Sequence, residues 1–199
     1  MICVYYADIP DKSRDYTAGG FPPSFPTEWI EYVRSIKDDN RRRQSFFVRV
    51  LLLYALKKSG VTAAAFSEKE GRWNISSSKT PADFSLSHSG NTVAAAINTN
   101  GKTGVDAERV SDKIFGAERL LIKNGKTAEK HDAETLTRLW TERESRYKSQ
   151  VAGEIFYKSQ KITGADGEYI VTVAAEDESA ARGAKFVCVK DLEKCIPYI

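Results

Sequence analysis

Cysteine is scarce in this sequence. Cys3, Cys188 and Cys195 are the only three, odd in number and without CxxC spacing, which argues against a disulfide framework and against a cysteine-built metal site and points to a reducing, intracellular compartment. Long apolar runs are missing as well. The longest, Phe46 to Leu56, is interrupted by Arg49 and falls well short of the ~20 residues that cross a bilayer. The first ten residues, MICVYYADIP, have no basic stretch and no small-residue cleavage site and include Asp8 and Pro10, so they read as a first strand rather than a signal peptide. Neither sign of charge dominates. Lys and Arg number 30 against 27 Asp and Glu, a net charge of +3, too mild to announce a nucleic-acid binder yet compatible with a local basic patch. With 41% hydrophobic and 29% charged residues over 199 positions, the chain has the make-up of an ordinary folded protein. Its length suits one large core or two modules of about 100 residues each.

Residues 10–26 gather Pro10, Pro22, Pro23 and Pro26 with Gly19 and Gly20, the composition of an irregular connection. After it, Thr27 is placed to cap a helix through Trp29, Val33 and Ile36, and Asp38-Asp39-Asn40 ends that helix or starts the next. In the second helix Phe47, Val50, Leu51 and Tyr54 recur at i, i+3, i+4 and i+7, and Gly60 stands where a C′ glycine stops it. From residue 84 the period changes to two. Phe84 and Leu86 alternate with serines, Val93 to Ile97 is a short apolar run, and Val105 and Ala107 alternate with Asp106 and Glu108, which predicts three short strands. A helical segment near 114–122, a longer helix over 133–150, and two strands over 169–173 and 185–189, expected to pair, complete the chain. The class is α+β, with two halves of similar size.

Three segments carry chemistry. In a strand, residues i and i+2 project on one face about 6.6 Å apart, so Asp106 and Glu108 point together while Val105 and Ala107 enter a core. Two adjacent carboxylates repel unless a cation lies between them, and oxygen donors of this kind suit Mg²⁺; the same pair on a solvated edge strand is the competing reading. In Trp140 to Lys148, helical spacing sets Trp140, Glu144 and Lys148 on one row, where Glu144 and Lys148 also read as a plain surface ion pair. Ser87-His88-Ser89-Gly90 closes an alternating strand with hydroxyls, an imidazole and a glycine turn, a set that can hold a phosphate or serve structure alone.

Together these segments resemble the 4′-phosphopantetheinyl transferases, in particular the larger, Sfp-type members, which show S-H-S-G, then G-[VI]-D-x-E, then W-x-x-K-E-x-x-x-K. Here the motifs stand in the same order as Ser87 to Gly90, Gly104 to Glu108, and Trp140 to Lys148, with 38 residues from Asp106 to Glu144. The match covers about residues 70 to 150. It implies two similar α+β halves in pseudo-two-fold arrangement, residues 1–98 on the coenzyme A phosphate and adenine side and 99–199 bearing the metal-binding strand and the long helix. It implies transfer of phosphopantetheine from coenzyme A to a serine of an apo acyl or peptidyl carrier protein, with release of 3′,5′-ADP, by a cytoplasmic monomer with neither membrane nor nucleic acid as partner.

Residue by residue, the resemblance implies Asp106, Glu108 and Glu144 as ligands of Mg²⁺, with Mn²⁺ as the other candidate, and Lys148 on the phosphates. Glu144, or a metal-bound water beside it, would take the serine proton. Ser87 and His88 would contact coenzyme A phosphates, Gly71-Arg72 would stand for the Gly-Lys pair at the adenine, and Arg43 would be the contact from Arg41-Arg42-Arg43, a cluster that reads equally as a solvated face. Ile114, Phe115, Leu120 and Leu121 would present an apolar surface to the carrier or pack in the core. Two positions depart from the pattern. Trp73 replaces a proline, and Arg143 replaces the lysine before the glutamate, exchanging a point charge for a planar fork. The rival readings are a non-catalytic coenzyme A- or carrier-binding relative and, more remotely, a nucleic-acid binder using Arg41 to Arg43.

Overall fold

The computed structural model describes residues 1–10, 16, 20–61, 65–69, 72–76, 81–117, 121 and 131–198. In chain order these form β1 (Ile2–Asp8), α1 (Thr27–Ser35), α2 (Asp39–Lys58), β2 (Ala65–Lys69), β3 (Arg72–Ser76), β4 (Asp83–Ser89), β5 (Thr92–Asn98), β6 (Thr103–Arg109), a 3₁₀ turn over Asp112–Ala117, α3 (Ala133–Ser149), β7 (Phe156–Gly164), β8 (Gly167–Ala175), α4 (Glu178–Arg182), β9 (Lys185–Cys188) and a closing 3₁₀ segment, Leu192–Tyr198. The protein is a mixture of α and β with several sheets.

Capping chemistry sets the ends of α2. The Asp38 carboxylate accepts from the Arg41 N–H at 2.8 Å, filling a donor that the first turn leaves open. At the other end Gly60 has φ +69°, the left-handed residue that follows a C-cap at no steric cost. For α1 the expectation was different. Pro26 occupies the N-cap without any side-chain cap, and its carbonyl accepts from Trp29 and Ile30 N–H, so Thr27 is the first helical residue instead of the cap.

Among the described residues the strands form a four-stranded sheet, β4-β5-β1-β9, a three-stranded sheet, β6-β8-β7, and the ribbon β2-β3. β5 runs antiparallel to both β4 and β1. β9 does not pair with β8 as its sequence pattern predicted. Both edges of β8 are taken, by β6 and β7, so the C-terminal strand crosses to the other sheet and lies parallel to β1, with Tyr5 opposite Val187.

The period of two then sorts side chains into two cores. From β1 and β5, Cys3, Tyr5, Ala7, Val93, Ala95 and Ile97 face α2, which adds Phe47, Val50 and Leu51. The alternate residues Ile2, Val4, Ala94 and Ala96 face the second sheet, where Val105, Ala107, Val171 and Val173 meet them. The small side chains on this inner face let the two sheets approach. Helix α3 covers the outer face of the second sheet, against β6 and β8. The order of layers is therefore α2, first sheet, second sheet, α3, with the carboxylates of β6 on the α3 side. No helix among the described residues is long and apolar enough to cross a membrane.

Candidate active site at the seam of the two sheets

The edge strands β4 and β6 share no backbone ladder, and side chains join them instead. Asp83 accepts from Thr103 N–H at 2.8 Å, Ser87 Oγ from Ala107 N–H at 3.1 Å, and Ser89 Oγ from Arg109 N–H at 3.3 Å. Alternate residues of β4 thus satisfy alternate amides of β6, which as an edge strand would otherwise leave them open. Both serine hydroxyls turn their protons to the carboxylates of the same strand. Ser87 donates to Asp106 at 2.8 Å and Ser89 to Glu108 at 2.7 Å.

Helix α3 brings the cation. Its buried row is Thr137, Thr141, Ser145 and Ser149, all fully covered, and each hydroxyl donates to a carbonyl of its own preceding turn. Such side chains are satisfied without bulk, so the helix lies close against the sheet. A Cβ on Gly104 would stand 1.9 Å from the Ser145 carbonyl oxygen, and only glycine fits there. Beside this row run Trp140, Glu144 and Lys148. Lys148 Nζ reaches Asp106 Oδ1 at 2.6 Å and Ser87 Oγ at 3.0 Å, and the Asp106 side chain keeps 8% of its exposure.

Burial pushes the Glu108 carboxyl above the usual range and Asp106 adds to the effect, while Ser89, the Arg109 N–H and Lys148 favour its charged form. Asp106 and Glu108 both turn toward the β4 serines, so they share a face as their spacing predicted. Among the described residues no three His, Cys, Asp or Glu side chains are close enough together to hold a metal ion, so Glu144 is not gathered with them into one cluster. Two carboxylates nonetheless suit Mg²⁺, which commonly takes one or two and fills its shell with water and substrate phosphate.

A cleft of about 600 Å³ opens on the other face of β4, where Lys37, Asp38, Arg41, Arg49, Trp73 and His88 line it with Tyr32. Strand alternation sends His88 into this cleft while Ser87 and Ser89 face β6. His88 stays exposed to solvent at the cleft mouth, and there the partial desolvation by the cleft wall, then the charges of Lys148, Arg41 and Arg49, lower its pKa to about 4. The imidazole thus shares the cleft with Arg41 and Arg49, and it also feels the charge of Lys148.

Of the three arginines heading α2, Arg41 lines the cleft, Arg42 pairs with Asp39, and Arg43 donates to the Pro10 carbonyl. Arg49, absent from the residues picked from sequence, is 6% exposed. It donates to the Ser45 carbonyl and hydroxyl and lies over the rings of Tyr32 and Trp29, at 4.7 and 5.6 Å. A lone arginine inside the apolar run 46–56 was the signal for it, because a buried guanidinium is retained only where it is well partnered. Trp73 forms part of the cleft wall and meets Trp29 edge-on. Arg143 lies over the Trp140 ring. Gly71 and the Arg72 side chain are outside the described residues, as is Leu120. Ile114 is buried in the core, whereas Phe115 is 44% exposed.

In comparisons with known proteins, no family model and no curated protein matches this chain.

Proposed function

We propose that the protein is a 4′-phosphopantetheinyl transferase of the Sfp type, moving the phosphopantetheine arm of coenzyme A to a serine of an apo acyl or peptidyl carrier protein. One observation carries this reading. Three segments far apart in sequence, with the motifs of that family in its order, supply Ser87, Asp106 and Lys148 to a single hydrogen-bonded cluster beside a cationic cleft. The two sheets with their helices would then be the two halves of the pseudo-two-fold arrangement, in a cytoplasmic monomer.

The reaction is a displacement at phosphorus. The carrier serine oxygen forms a bond to the phosphorus bearing the pantetheine arm, the bond from that phosphorus to the bridging oxygen breaks, and 3′,5′-ADP departs with the electron pair. The serine proton passes to a carboxylate, for which Glu144 is the candidate. Lys148 sets its ammonium against the phosphate oxygens and stabilises charge on the leaving group. Asp106 and Glu108 would hold Mg²⁺, with water and substrate phosphate completing its shell, and its contribution would be to neutralise the pyrophosphate; Glu144, outside that pair, is left to the proton. In the cleft, Arg41, Arg49 and His88 supply donors for phosphate, and Trp73 and Tyr32 supply ring faces.

Release of 3′,5′-ADP, followed by chromatography, tests the reading. The nucleotide should appear only when protein, coenzyme A, Mg²⁺ and an apo carrier are all present. Coenzyme A binding without any nucleotide release would favour the non-catalytic relative.

Protonation of His88 gives a second expectation. In the free protein its pKa is about 4, so the ring is neutral at pH 7, and a bound phosphate favours the imidazolium and raises the value. Binding of coenzyme A should therefore take up a proton between the free and bound pKa values, and affinity should fall as pH rises through the bound value. NMR titration of the His88 ring protons, with and without coenzyme A, reads both numbers; an unchanged pKa near 4 in the complex would remove His88 from the phosphate site.

A further inference from the structure

We infer that Ser87 is a positioning residue, holding Lys148 and Asp106 in register across the seam, and is not a ligand of the phosphates. The inference rests on the transferase reading above, in which Lys148 and Asp106 meet the substrate. A serine hydroxyl offers one proton and two lone pairs. Ser87 has committed all three: the proton goes to Asp106 Oδ1 at 2.8 Å, one lone pair accepts from Lys148 Nζ at 3.0 Å, and the other accepts from the Ala107 N–H at 3.1 Å. The residue is 5% exposed, and strand alternation turns it away from the cleft that His88 lines.

A phosphate oxygen needs a donated proton, and the proton of Ser87 already lies on a carboxylate. An anion taking that place would face the charge of Asp106 at close range. What the hydroxyl does supply is a fixed point. It is fastened to the β6 backbone through Ala107 and closes a three-membered ring with Asp106 and Lys148, since the same Oδ1 accepts from Lys148 at 2.6 Å. Lys148 reaches the site on a flexible four-carbon stem that loses much rotamer freedom when pinned. Without the serine the ammonium would lose one of its anchors, and loss of position alone costs rate.

Ser87→Ala in the full chain tests this with two readouts. Steady-state transfer and calorimetric titration of coenzyme A should show kcat lowered roughly 10- to 100-fold with the Kd for coenzyme A within about twofold of wild type. Acetylation of Lys148 by acetic anhydride, mapped by peptide mass spectrometry, should rise at least about threefold because the lysine is held less firmly. A tenfold or larger weakening of coenzyme A binding with kcat kept, or unchanged labelling of Lys148, would overturn the inference. The labelling is independent of turnover. A wild-type protein that transfers nothing defeats the transferase reading, whereas labelling that does not change defeats the clamp. Ser87→Cys, close in volume and a weak donor, is read in the same way if the alanine variant does not fold.

Discussion

Replacing Gly104 with alanine should unseat helix α3 and with it the cluster of Ser87, Asp106 and Lys148. The added Cβ would lie 1.9 Å from the Ser145 carbonyl oxygen and 2.6 Å from the Ser149 nitrogen. Both are helix backbone atoms, which cannot swing away as a side chain does. Overpacking in a core ordinarily costs about 1–3 kcal/mol, and a clash with fixed backbone belongs at or above the upper end. At about 2–4 °C per kcal/mol for a chain of this size, thermal unfolding should fall by roughly 10 °C. Transfer activity should fall further than the folded fraction, because Glu144 and Lys148 ride on the displaced helix. Melting curves with activity measured on the folded protein check this; an alanine variant melting within a degree of wild type would show that α3 does not lie as close to β6 as described.

Lys148→Met should have the second largest effect, and on chemistry more than on folding. The variant keeps much of the side-chain volume and removes the cation that lies 2.6 Å from an Asp106 carboxylate with 8% side-chain exposure. Losing a hydrogen-bonded partner of a charged group costs about 1–3 kcal/mol of stability. Transfer should fall by at least about 100-fold, the scale of removing one preorganised donor at developing charge. The same variant should raise the His88 pKa above 4, since Lys148 is the largest of the charges that hold it down. Rate measurements and the His88 titration together test the placement of the ammonium against Asp106 and its electrostatic reach to His88. A variant with wild-type turnover and an unmoved His88 would contradict it.

Local pattern made part of this legible. Asp38 and Gly60 mark the ends of α2 because capping is a matter of a few adjacent residues, and the alternation in Val105-Asp106-Ala107-Glu108 places both carboxylates on one face because a strand has a fixed period. The remainder depends on distant partners. β7 leaves no clear pattern in the sequence because it is an edge strand with mixed exposure over Phe156–Gly164, so no clean alternation is imposed on it. The pairing of β9 with β1 is decided by which sheet edge is free, and nothing in residues 185–188 records that. The row Thr137, Thr141, Ser145 and Ser149 does not look like a buried face because its residues are polar; helix carbonyls, and Thr172 for Thr141, are what let the hydroxyls be buried. Within Ser87-His88-Ser89, the period of two separates the imidazole, on the cleft side, from the hydroxyls, which face β6.

The central claim is transfer, and intact mass tests it most directly. An apo acyl carrier and an apo peptidyl carrier are each incubated with the protein, coenzyme A and Mg²⁺, with parallel samples containing EDTA. The account predicts that at least one carrier gains the mass of a single phosphopantetheine and that EDTA abolishes the gain. Both carriers remaining at their apo mass while the protein binds coenzyme A would contradict it and leave a binding protein in place of the enzyme.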